Sequence, residues 1–154
     1  MKRKRPIVLS VSNIVAIKYD PARILYRNYS RGMSTGSRLH QELGFTNRQP
    51  LSKIVDGVII RGIPDRISNN LIEDLKTYYT KESRDYYESL ARCQCNIYCF
   101  LADSPRYKIH FYHVPSQTTE IVEGKADPKQ ALKDIRYAIK VWKKLLKVLG
   151  LNAS

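Results

Sequence analysis

The chain has 154 residues and carries 27 Lys or Arg against 14 Asp or Glu, a formal net charge of +13. That length suits one domain with its own core, and the cationic excess favours a polyanionic partner, either nucleic acid or an acidic membrane surface. No run is long and apolar enough to span a bilayer, and the three cysteines, Cys93, Cys95 and Cys99, lack CxxC spacing. A disulfide framework and a zinc site are therefore not expected, and the expected setting is intracellular, in the cytoplasm.

Residues 1–6 read as a basic arm able to touch phosphates, and residues 7–154 as a single domain. The opening MKRKRP and the apolar run after it faintly resemble a signal peptide. Ser10, Ser12 and Asn13 break that run, and no small-residue cleavage site follows before Lys18. Ser12 is placed as the cap of a helix running to Tyr19. Pro21 interrupts that helix or opens the next, which is read from Ala22 to Asn28. Ser34-Thr35-Gly36-Ser37 reads as a turn or cap, and Arg38 to Leu43 as a helix start carrying His40 and Glu42. Thr46 to Ser52 is polar and read as loop.

Lys53 to Ile67 is rich in β-branched residues and reads as extended chain. Gly57 and Gly62 allow bends or close backbone approach, and Pro64 puts a bulge or an edge there. Asn69-Asn70 suits a tight hairpin turn, because Asn tolerates positive φ. Counting back from that turn puts Asp65 opposite Asp74. Strand alternation then puts Lys76 on the face of Asp74, with Glu73 and Leu75 pointing away. Two carboxylates so close raise each other's pKa, and a divalent cation between them would remove the conflict. Hard oxygen ligands suit Mg²⁺, and Lys76 would hold or activate a water or stabilise charge on a phosphodiester.

Asp85 to Ala102 reads as a helix on the spacing of Tyr86, Leu90, Cys93, Ile97 and Leu101, with the cysteines as core fillers. Gln94 and Tyr98, four apart, share one of its faces. Tyr107 to Val114 alternates as a strand, and Thr118 to Val122 is its partner. His110 and His113 face opposite ways and are read as ordinary residues. Asp127 caps a last helix with Pro128 in its first turn and Gly150 at its end. Leu132, Ile135, Ile139, Trp142, Leu146 and Leu149 form its apolar stripe. Lys133, Lys140, Lys143, Lys144 and Lys147 crowd the rest, as a solvated back or a DNA-tracking surface; a membrane-surface helix is a third reading, although core packing explains the apolar stripe more simply.

Pro64-Asp65 followed by Asp74-Leu75-Lys76 resembles the signature of the PD-(D/E)XK nucleases. GSRLHQELG, with His40, resembles the helix start that precedes the hairpin in the RecB-like and CRISPR-associated exonuclease-like branch. Gln94-x-x-x-Tyr98 after the Lys76 strand resembles its third feature. SVSNIVAIKYDPARILYRNY resembles the entry segment of that branch. Asp20-Pro21 stands where iron-sulfur members have Cys-Pro, and their later cysteine group is absent. No iron-sulfur cluster is therefore expected.

The resemblance implies an α/β, restriction-endonuclease-like core, with a central mixed β-sheet that starts with a hairpin and is flanked by helices. The α and β alternation in the periodicity agrees with it. It implies a Mg²⁺- or Mn²⁺-dependent DNA nuclease, exonuclease or single-strand-specific. Asp65, Asp74 and Lys76 would be catalytic, and His40, Asp65, Asp74 and the Leu75 carbonyl would hold the metal. Gln94 and Tyr98 would bind substrate or support the site. Glu42 is a second, less favoured candidate ligand. The implied partners are single-stranded DNA or duplex ends and a protein partner in a recombination, repair or CRISPR complex, with no membrane. Two other readings stand beside it: a nucleic-acid-binding module without chemistry, and an accessory subunit of such a complex.

Overall fold

The structure is a computed structural model that describes residues 3–25, 39–45 and 49–150. The expected turn at Ser34 to Ser37, the residues 26–28 of the second helix and the loop residues 46–48 lie outside these. Strand β1 (Val8–Ser10) leads directly into helix α1 (Val11–Tyr19), and a short helix α2 (Ala22–Leu25) follows. Residues 39–42 are helical. Then come β2 (Leu51–Val55), β3 (Val58–Gly62), β4 (Arg66–Ser68) and β5 (Leu71–Tyr78). Helix α3 (Lys81–Ala102), β6 (Arg106–His113), β7 (Thr118–Lys125) and helix α4 (Pro128–Val148) complete the order.

The strands divide into two mixed sheets. The first has the order β1-β3-β2, with β1 parallel and β2 antiparallel to β3. The second has the order β4-β5-β6-β7, in which β5 and β6 are parallel and joined through α3. A parallel pair needs such a crossover, because a two-residue turn cannot return the chain in the same direction. Leu9, Ile14, Ile60, Ile72, Ile97, Ile109, Phe111 and Ile135 are among the fully buried residues. They bring α1, α3, α4 and both sheets into one core.

The β-rich stretch at 53–67 is three strands, not one. Asp56 and Gly57 turn the first two with φ of 49° and 78°, the left-handed pair that a tight two-residue hairpin requires. Pro64, wholly buried, separates the end of β3 from β4. Asn70, with φ of 57°, turns the β4–β5 hairpin. Residues 8–19 contribute to the core: β1 pairs with β3, and Leu9, Val11, Ile14, Val15 and Ile17 are buried.

Several boundaries move. Ser10, not Ser12, caps α1, accepting from the Asn13 N–H at 3.1 Å. Helix α3 begins at Lys81 rather than Asp85, because Thr80 and Ser83 form a capping box. Tyr86 is half exposed and outside the stripe, while all three cysteines are buried free thiols. β7 runs on to Lys125, and Leu149 lies exposed at the end of α4. Asp127 caps α4 as expected, accepting from the Gln130 N–H at 3.1 Å.

Candidate active site

The β4–β5 hairpin pairs Arg66 with Glu73, Ile67 with Ile72 and Ser68 with Leu71. One step further along the same register sets Asp65 opposite Asp74, and a second sets Pro64 opposite Leu75. Proline has no N–H to give to Leu75. The Leu75 N–H is instead taken by Asp65, whose Oδ2 accepts it at 2.8 Å. The proline break thus turns a backbone donor toward a carboxylate and fixes that carboxylate at the strand's end.

The structure gathers the residues singled out in the sequence. His40 Nε2 lies 3.0 Å from Asp65 Oδ2. Lys76 Nζ lies 3.1 Å from Asp74 Oδ2 and donates to Gln94 Oε1 at 2.8 Å. Gln94 Nε2 in turn donates to the Tyr98 hydroxyl at 3.1 Å. Gly62 makes room for this chain: a Cβ there would meet Tyr98 Cε1 and Val11 Cγ2 at 2.6 Å each. The Tyr98 ring therefore lies directly on the backbone of β3, with its hydroxyl in the relay that ends at Lys76.

Asp65 and Asp74 are both buried, and they titrate as a pair. Burial pushes the Asp65 carboxyl up, but hydrogen bonds from His40, from Asp74 and from the Leu75 N–H outweigh it and hold the group well below the usual range. For Asp74 burial dominates. The Lys76 charge opposes it, the Asp65 charge and their shared proton add to it, and the group is raised to about 7. Burial lowers the Lys76 ammonium, yet the charges of Asp74 and Asp65 win and raise it. The Asp74 Oδ2 atom is buried and has no hydrogen-bond partner among the described residues. Lys76 stands at ion-pair distance from it without hydrogen-bond alignment. The ion pair offsets part of the cost of burying that oxygen, which an aligned hydrogen bond would offset further.

That atom is the test of whether the site fits a metal. Two carboxylates with an imidazole beside them form a hard donor set suited to Mg²⁺ or Mn²⁺. Among the described residues no group of three or more His, Cys, Asp or Glu side chains is placed so that it could hold a metal ion as it stands. His40 and the Leu75 N–H hold Asp65, and Lys76 faces Asp74. A cation would meet the Asp74 oxygen first.

The other face of β5 carries a cluster that the sequence reading did not assemble. Glu73 takes a two-pronged contact from Arg66, at 2.6 and 2.8 Å, and lies 3.0 Å from His110 Nε2. Phe45 is buried over this group, with the Arg66 guanidinium 4.6 Å from its ring centre and the His110 ring edge-on at 5.2 Å. His40 approaches the same phenyl ring at 6.3 Å. The signal was in the sequence: the count that sets Asp65 against Asp74 also sets Arg66 against Glu73, an opposite-charge pair. Nothing local announces Phe45 or His110.

Two solved structures share this architecture. The crystal structure of a protein designated SSO0001 matches with a TM-score of 0.67 at 16% identity, over 90% of this chain and 77% of that one. A phage-related exonuclease from Haemophilus somnus 129PT matches with a TM-score of 0.52 at 15% identity, over 90% of this chain and 82% of that one. No family model and no curated protein matches the sequence. At these identities the likeness is one of fold: the chain has a mixed α/β core of two mixed sheets flanked by helices, and it shares that fold with the phage-related exonuclease.

Proposed function

We propose that this protein is a metal-dependent deoxyribonuclease of the PD-(D/E)XK superfamily, in its RecB-like branch and without an iron-sulfur cluster. The observation that carries the reading is the buried Asp74 oxygen, paired at 3.1 Å but without hydrogen-bond alignment to a lysine that Gln94 holds in place. A purely structural site would satisfy that oxygen. The fold shared with a phage-related exonuclease supports the reading.

Asp65 and Asp74 would hold a Mg²⁺ or Mn²⁺ ion, with His40 and the Leu75 carbonyl completing the set. Such an ion, when bound, neutralises phosphodiester charge and lowers the pKa of a water. Lys76 orients the attacking water and stabilises the negative charge that grows on the phosphoryl oxygens. The Gln94 carbonyl accepts from Lys76, and the Tyr98 hydroxyl fixes which way the Gln94 amide points, so the ammonium is aimed before substrate arrives. In this reading Gln94 and Tyr98 support Lys76. Attack in line on phosphorus forms one P–O bond and breaks the other, and the leaving oxygen takes up a proton. DNA is the proposed substrate, as single strands or duplex ends.

A second reading has its own observation. The contacts from His40 to Asp65 and from Lys76 to Asp74 already offset the carboxylate charge. That balance suits a module, or an accessory subunit, that binds nucleic acid without cutting it. Cleavage of end-labelled linear and circular DNA, single- and double-stranded, separates the two. The expected result is cleavage with Mg²⁺ or Mn²⁺ that EDTA, Asp74→Ala and Lys76→Ala each abolish. Binding without cleavage in either metal favours the second reading.

A further inference from the structure

Helix α4 uses two faces in opposite ways. Ala131, Ile135, Ala138 and Ile139 are buried, and the helix packs on α1 and α3. The outward face carries Lys129, Lys133, Arg136, Lys140, Lys143 and Lys147, all exposed. They recur in alternating steps of four and three residues. At 3.6 residues per turn they fall within an arc of about 80° and run in a line about 27 Å long. Lys144 flanks the same line. The one acidic residue of α4, Asp134, is buried on the inner side, where Lys18 and Gln130 hold it at 2.9 Å. Of the six, Arg136 has an acidic contact, Asp56 at 3.1 Å across an exposed gap.

Like charges three and four apart oppose helix formation. A merely solvated helix back gains nothing from six of them in a row, since mixed signs would serve solubility as well. The line has a use if a polyanion lies along it. We infer that the outer face of α4 is a docking rail for the phosphodiester backbone of duplex DNA, separate from the Asp65–Asp74–Lys76 centre. The inference rests on the proposed function only in taking DNA as the polyanion.

Two features favour duplex DNA over other anionic surfaces. Single-strand platforms interleave aromatic rings among the cations so that bases stack, whereas none of the six positions is aromatic and the exposed Tyr137 stands alone at the edge of the line. Membrane-surface helices sink a continuous apolar face into the bilayer, and in α4 Ala131, Ile135, Ala138 and Ile139 are already buried against the core. Past Ile139 the apolar residues are partly covered or exposed, and the vesicle arm of the test addresses them. About 27 Å of straight helix spans roughly 8 base pairs of rise, enough to meet several phosphates at once.

The test measures binding of a short labelled duplex in EDTA, so that no cleavage intervenes, between about 50 and 200 mM salt. The wild type is compared with a fourfold variant, Lys133→Gln, Lys140→Gln, Lys143→Gln and Lys147→Gln, and with the same four changed to Arg. All four positions are exposed, and circular dichroism checks the fold. The Gln variant is expected to bind on the order of 10- to 100-fold more weakly at about 150 mM salt, and its salt slope to be shallower by about 3. The Arg variant is expected to keep both. Equal affinity and slope in wild type and Gln variant would overturn the inference. So would a variant that loses only single-stranded DNA, or only phosphatidylserine vesicles, while keeping the duplex. Asp74→Asn is carried alongside. Rail-dependent duplex binding by a protein that cuts nothing leaves the rail standing and removes the nuclease reading. Metal-dependent cleavage with no rail dependence in binding does the reverse.

Discussion

Glu73 and Asp74 are neighbours on one strand, both acidic and both buried, and they have opposite fates. Glu73 meets two guanidinium nitrogens and an imidazole. Arg66 holds its carboxyl below the usual range; burial opposes this and His110 adds to it. Asp74, pointing to the other side, keeps an oxygen without a hydrogen bond and is pushed up to about 7. One face of β5 spends its acid on holding the sheet and Phe45 together. The other leaves its acid without an aligned hydrogen bond, paired with a lysine that Gln94 and Tyr98 hold in place. A buried carboxylate without an aligned hydrogen bond beside a fully satisfied one is the observation on which the proposed metal site rests.

The contrast breaks most sharply in a pair of substitutions. Asp74→Asn is expected to lower metal-dependent cleavage on the order of 10³-fold or more while the circular dichroism spectrum is kept. Glu73→Gln is expected to leave cleavage per folded molecule within several-fold but to cost about 2 kcal/mol in urea unfolding. That is less than the roughly 3–5 kcal/mol for a wholly buried pair, because the Arg66 side chain keeps 35% of its surface in water. If Glu73→Gln removes activity as fully as Asp74→Asn, the two faces are not separate.

Overpacking sharpens the comparison from the catalytic side. Gly62→Ala drives a methyl into Tyr98 and Val11 and is expected to cost about 1–3 kcal/mol. It should also lower kcat more than KM is raised, because it moves Tyr98, then Gln94, then Lys76. In a Tyr98→Leu background, where the aromatic ring is gone, the added cost in kcat should shrink toward nothing. An equal cost in both backgrounds would place the effect outside the relay.

The smallest expected effect is in pH. A carboxyl with a raised folded pKa stabilises the fold while it stays protonated. That contribution is complete below its unfolded value near 4 and is lost as pH climbs through about 7. In EDTA, the unfolding free energy of the wild type relative to Asp74→Asn should therefore fall as the pH rises from about 5 to about 8. Glu73 has the opposite sign: its lowered pKa gives stability above its unfolded value, near 4, that is lost as acid protonates it. Wild type measured against Glu73→Gln should show a loss only below about pH 5. Added Mg²⁺ should bind more tightly as pH rises through about 7, because a proton must leave the pair first.

Legibility in the sequence followed the range of the interactions. The Asn69-Asn70 turn and strand alternation were enough to place Asp65, Asp74 and Lys76 on one patch and to send Glu73 away. Helical spacing paired Gln94 with Tyr98, and the Asp127 and Pro128 signals opened α4 at the right residue. Local signals were also passed over. Asp56-Gly57 is a strong hairpin pair, and reading 53–67 as continuous extended chain missed its turn. The capping box at Thr80 and Ser83 would have started α3 four residues earlier. Both are written in a few adjacent residues and needed no tertiary knowledge.

The sequence by itself determined which side chains β5 presents to each face, because alternation along a strand and the length of a turn are local geometry. It also determined the cation line along α4, since helical period alone sets it. Only the tertiary structure decided which acid is satisfied. His40 reaches Asp65 across 25 positions, and His110 reaches Glu73 across 37. Phe45 roofs the second cluster, and Gly62 admits the ring of Tyr98. These contacts join parts of the chain that no short window contains, and they form because α3 and both sheets bury one common core. Whether a buried carboxylate finds a partner depends on what that packing brings to it, and at Asp74 it brings a lysine at ion-pair distance but no aligned hydrogen bond to that oxygen.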